Sequence, residues 1–175
     1  ISSYWTSRQI ARNEKVSVTA VGANSLFSVF GVVIYIGISV FLAYTSDVDF
    51  GILLFGALMI PFVYIVKILR AITGSYKPQG NGYSLLISEM TKIPVGLVLV
   101  YFLDMGIIGA ISTTILASST QVLFYFYYIN EKFREKFSFQ VIRDWMKNSW
   151  LALYSGNTGR FSELDVVLYS SFFGN

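Results

Sequence analysis

VSVTAVGANSLFSVFGVVIYIGISVFLAYTS, residues 16–46, decides how this chain is read. No charged side chain interrupts it between Lys15 and Asp47. A helix of about 20 apolar residues crosses a hydrocarbon core of about 30 Å. The run exceeds that length by roughly half, which leaves room for tilt or for an extension into the headgroups. A transmembrane helix is expected over 16–44, followed by a short acidic loop carrying Asp47 and Asp49.

Three more segments follow the same logic. Phe50 to Val66 is free of charge, and the helix extends to about 72 with Lys67 and Arg70 snorkelling to the interface. Pro61 lies inside it and deprives the Ala57 carbonyl of its helical donor, so a kink is expected there. Residues 73–82, with Gly74, Pro78, Gly80 and Gly82, read as a loop. A third helix over 83–103 carries Glu89 and Lys92 and is interrupted by Pro94, where a second bend is expected. A tight turn at Leu103–Gly106 leads into a fourth, charge-free helix over 105–129. Its small residues Gly106, Gly109 and Ala110 permit close packing in lipid, and it ends in the aromatic belt Phe124–Tyr128. The expected fold class is therefore all-α, a polytopic transmembrane helix bundle.

The flanks are polar. Residues 1–15 read as a cytoplasmic loop, and 130–148 as a basic linker. In the linker Phe133, Phe137, Val141 and Trp145 recur every four residues, the stripe of an amphipathic helix lying on the membrane surface. Residues 149–175 read as the start of a fifth, truncated helix, and the whole as a fragment of a longer protein. Composition agrees with a membrane chain: 54% of residues are hydrophobic and 13% charged, against about 25% charged in soluble domains.

The absence of Cys and His excludes disulfides, thiolate chemistry and Cys/His zinc sites, and removes the commonest general base. The carboxylates do not cluster at metal-ligand spacing, and no glycine-rich phosphate loop follows a strand. Neither an enzyme, nor a cofactor, nor a nucleic-acid partner is expected; the lipid bilayer is the first partner. Lys and Arg other than Arg160 fall in loops or helix ends on one side, before the first helix, around the junction of the second and third, and between the fourth and fifth, whereas the alternate loops carry Asp47, Asp49 and Asp104. The positive-inside rule puts 1–15, 73–82 and 130–148 in the cytoplasm.

Charges inside membrane segments are costly and by default face a cavity or a partner. Glu89 and Lys92 are three apart and share a helix face, as an interfacial ion pair or as part of a substrate path. Arg160 and Glu163 repeat that spacing on the fifth helix, with Asp165 about 140° around from Arg160. They read as a structural salt bridge or as the wall of a polar cavity. Arg8 and Arg12 are four apart before the first helix, as a cytoplasmic anchor or gate.

The stretch Tyr4–Lys15, with Arg8-Gln9-Ile10-Ala11-Arg12, resembles the "R-x-x-A-R" loop between the second and third helices of polysaccharide-transporter flippases. Ser149-Trp150-Leu151-Ala152-Leu153, Glu163-Leu164-Asp165 and Phe173-Gly174 resemble that family's seventh helix, without its usual Pro and with Val166 where a basic residue often follows the Asp. The family belongs to the multidrug/oligosaccharidyl-lipid/polysaccharide exporter superfamily. The resemblance implies a fragment of a two-lobe transporter of 12–14 helices, covering the third to the seventh. It further implies flipping of polyprenyl-pyrophosphate-linked glycans across the cytoplasmic membrane by alternating access, with room for a coupling ion. Arg160, Glu163, Asp165, Glu89 and Lys92 would then contact substrate. Alternatives are a multidrug or cation antiporter of the same superfamily, a membrane-embedded glycosyltransferase, or a structural membrane subunit.

Overall fold

A computed structural model describes residues 2–12, 14–45, 49–134 and 136–148. The described residues form helices α1 (Ser2–Ala11), α2 (Ser17–Thr45), α3 (Phe50–Gly56), α4 (Met59–Tyr76), α5 (Gln79–Gly96) and α6 (Gly106–Tyr128). A last helix, α7, covers residues 139–148. Four stretches are long and apolar enough to cross a membrane: Ser17–Thr45, Phe50–Tyr76, Gln79–Phe102 and Gly106–Tyr128. The chain is an all-α bundle with the character of a multi-pass membrane protein.

Several hydroxyls within these spans bond back to their own helix. Thr113 donates to the Gly109 carbonyl (2.7 Å), Ser119 to Ile115 (2.8 Å) and Thr120 to Leu116 (2.9 Å). Each spares an apolar surrounding an unpaired polar group. The second span is broken between α3 and α4, one turn before Pro61. There Ala57 donates to Leu54 (3.1 Å) and Leu58 to Phe55 (3.2 Å), bonds of the tighter three-residue type. The Ala57 carbonyl, which Pro61 cannot serve, accepts from Ile60 at 3.1 Å instead. Pro94 acts differently. The α5 helix runs through it without interruption to Gly96, and the irregularity comes after it, as a π-helical turn over Leu97–Phe102. The turn into α6 uses left-handed backbone at Asp104 (φ 50°) and Gly106 (φ 52°), which Gly adopts freely and Asp tolerates.

Two expected loops are corrected. Residues 1–15 contain the helix α1, whose Thr6 and Ile10, four apart, turn inward and are buried against neighbouring helices. Residues 73–82 are mostly helical: α4 continues to Tyr76 and α5 begins at Gln79, leaving Lys77 and Pro78 as the connection. Gly80 makes this tight junction possible. A Cβ there would sit 2.7 Å from Thr73 Cγ2 and press into the Tyr128 ring.

The buried core lies at one end of the bundle. It joins Ile10 of α1, Ala20 and Ala23 at the start of α2, Ile68 and Ile72 at the end of α4, Tyr125 at the end of α6, and Trp145 of α7. The start of α2 therefore meets the ends of α4 and α6, as an up-down arrangement requires. This is also the end where Arg8, Arg12, Lys15, Arg70, Lys77, Lys132 and Arg134 lie, whereas Asp49 and Asp104 lie at the other.

The amphipathic stripe of the linker is redistributed. Phe133 sits on a 3-10 turn (Asn130–Arg134), Phe137 on the connection after it, and only Val141 and Trp145 on α7. Phe133, Val141 and Trp145 face protein, whereas Phe137 is half exposed. Ile142 and Trp145 are buried, Trp145 Nε1 donates to Gln9 Oε1 (2.7 Å), and the Ser138 amide donates to Thr19 Oγ1 (2.9 Å). Phe137 lies so close to α2 that a Cβ on Gly22 would be 2.8 Å from its ring. The apolar face that suits a lipid surface is used to clamp α1 onto α2.

Candidate functional site

Glu89 and Lys92 are placed by the length of α5. Because the helix starts at Gln79 rather than near 83, Glu89 stands ten residues in, about 15 Å along the axis. The span runs from Gln79 to Phe102, so the pair occupies its middle. Both therefore stand well inside the helix and not at its start. Both side chains are exposed, and no ion pair joins them among the described residues. Their neighbours Leu85, Leu86, Met90 and Ile93 are exposed too. The covered face of α5 is narrow, consisting of Gly80, Ser84 and Ser88, which pack on α6.

That covered face holds a buried polar network absent from the sequence reading. The Ser84 hydroxyl donates to Tyr125 Oη at 2.6 Å, and Tyr125 Oη donates to Asn81 Oδ1 at 3.0 Å. Gln121 Nε2 donates to Ser84 Oγ at 3.3 Å, and Asn81 Nδ2 to the Arg70 carbonyl at 3.2 Å. Three helices are thereby locked together. Spacing alone hints at it: Asn81, Ser84 and Ser88 follow the helical three-four rhythm, as do Gln121 and Tyr125.

At the basic end Arg8 is exposed and donates to Tyr4 Oη at 2.8 Å, with its guanidinium 5.4 Å from the Tyr4 ring centre. Arg12 is exposed beside it. Neither approaches the pair on α5, which is half a helix away. Glu131 accepts from Tyr76 Oη at 2.7 Å. Lys132 and Lys77 stand over the Tyr76 ring at 4.4 and 5.0 Å. This hydrogen bond, and next the charge of Lys77, hold the Glu131 carboxyl below its ordinary range. Arg160, Glu163 and Asp165 lie outside the described residues.

A cleft of about 650 Å³ opens between α2, α4 and α7. Phe27, Phe30 and Val63 form apolar walls, and Asn24, Tyr64 and Lys67 provide polar groups. Sequence reasoning saw Lys67 only as a snorkelling interface residue, because the cleft exists only once α7 folds back over α2. No protein family, curated protein or solved structure matches the chain.

Proposed function

We propose that the chain is part of one lobe of a transporter that flips lipid-linked oligosaccharide or polysaccharide repeat units across the cytoplasmic membrane by alternating access. The observation that carries this reading is the mid-span position of Glu89 and Lys92 on an uncovered face of α5. A charge facing lipid at mid-depth costs about 2.5–3.5 kcal/mol even on the mild insertion scale. Two such residues on one face are accounted for by a water-filled path and a second lobe opposite α5. Lys92 would meet the pyrophosphate in transit and Glu89 would hold it between cycles. The likeness of the Arg8–Arg12 and Glu163–Asp165 stretches to flippases supplies the substrate class. The basic end suits an anionic headgroup arriving from the cytoplasmic leaflet.

The test is translocation of a fluorescent polyprenyl-pyrophosphate oligosaccharide by the full-length protein in proteoliposomes. Wild type should flip it. Lys92→Gln should slow flipping about ten-fold or more, the effect of losing one charged contact, while Leu86→Ala leaves the rate unchanged. Failure to flip, with ion-driven efflux of organic cations instead, would overturn the reading in favour of an antiporter.

A further inference from the structure

We propose that the cleft between α2 and α4 holds one anionic membrane phospholipid, with its phosphate on Lys67 and an acyl chain along Phe27, Phe30 and Val63. This occupant is a resident of the bilayer and is separate from the transported glycan. The lining begins at the basic end with Ser3 of α1 and Trp145 and Met146 of α7, passes Asn24 and Lys67, and reaches Ile34, Val63 and Tyr64 at mid-span. Lys67 stands nine residues, about 14 Å, from the end of α4, so a phosphate on it is drawn into the cleft below the basic surface. From Asn24 to Ile34, the far wall, is ten residues of α2, or about 15 Å. That is half of a hydrocarbon core of about 30 Å. That length accommodates one acyl chain laid along the walls. Its volume of about 650 Å³ lies within the range of about 300–1,000 Å³ typical of ligand pockets.

The charge is complementary as well. Lys67 is exposed, and no carboxylate pairs with it among the described residues. Arg143 and Lys147 on α7 add positive charge at the same end. Basic pockets between membrane helices at such a surface bind phosphate headgroups. Trp145 and Met146 close the cleft from α7, so a lipid seated there would also brace α7 against α2.

The experiment uses the full-length protein in nanodiscs doped with phosphatidylglycerol carrying a diazirine on one acyl chain. Peptide mapping should place adducts on Phe27, Phe30 or Val63. Labelling should exceed that by the matching phosphatidylcholine probe, and Lys67→Gln should lower it about five-fold, while Lys67→Arg retains it. Lys67 is exposed, so its replacement leaves the helix packing intact, and circular dichroism checks this. Equal labelling by the neutral probe, or labelling indifferent to Lys67→Gln, would identify an ordinary annular lipid and overturn the proposal. Displacement of the probe by polyprenyl pyrophosphate at lower concentration than by unlabelled phosphatidylglycerol would overturn it too, by assigning the cleft to the transported substrate. Because flipping is measured separately, loss of the lipid site and loss of transport are distinguishable.

Discussion

Tyr125 shows how a single side chain joins helices in this bundle. Its ring is fully buried in the core, and its hydroxyl both accepts from Ser84 and donates to Asn81. Tyr125→Phe keeps the ring and removes both bonds. The expected loss is about 0.5–2 kcal/mol, the range for hydrogen bonds between membrane helices. Reversible unfolding in mixed micelles would measure it, and an unchanged midpoint would show that the network contributes nothing net. Glu131 makes a second prediction. Its folded pKa is depressed below the ordinary value of 4.5 by the Tyr76 hydrogen bond first and by Lys77 next. The linked stabilisation is present above that ordinary value and is lost as pH falls through the lowered one. Tyr76→Phe should move the Glu131 titration upward, as read from its carboxyl carbon shift in NMR.

Among the elements, α7 is the one whose role depends most on what it touches. Ile142 and Trp145 leave water when they join the core shared with Ile10 of α1 and Ala20 and Ala23 of α2, each contributing about 1.5–3 kcal/mol of apolar burial. Trp145→Ala removes most of that anchor and the bond to Gln9. The expected result is loss of hydrogen-exchange protection over 139–148, with the protection of α2 and α6 unchanged. Persistent protection would mean that α7 is held by something other than its Trp. The break between α3 and α4 and the π turn after Pro94 show that the two prolines act unequally. Beside Pro61 the chain gives up a helical bond and closes a tighter turn, while the helix carrying Pro94 accommodates the ring and unwinds only at its end.

For the whole molecule, the distribution of charge sets an orientation that labelling can read. The chain has no cysteine, so single substitutions at Asp104 and Arg134 report on a clean background. The position at 104 is expected to react with an impermeant thiol reagent in intact cells, and the position at 134 only after permeabilisation. Labelling at 134 in intact cells would reverse the proposed orientation.

The all-α character and the four spans were legible in the charge-free runs, because lipid demands continuous apolar length and hydropathy reads length directly. Span ends were less legible. Lys77 and Pro78 are the whole connection between α4 and α5 because Gly80 lets Tyr128 and Thr73 close over it, a contact between residues far apart in the chain. Glu89 and Lys92 stood out in the sequence as charges in an apolar run, but their place within α5 followed only from where the helix begins. The helicity of residues 2–11 was hidden by their polar composition, since only contact with other helices shows that Thr6 turns inward with Ile10. The face of α7, the Ser84–Tyr125 network and the Lys67 cleft were decided by tertiary structure alone. Each depends on which helix stands opposite, and periodicity in one segment carries no information about its neighbour.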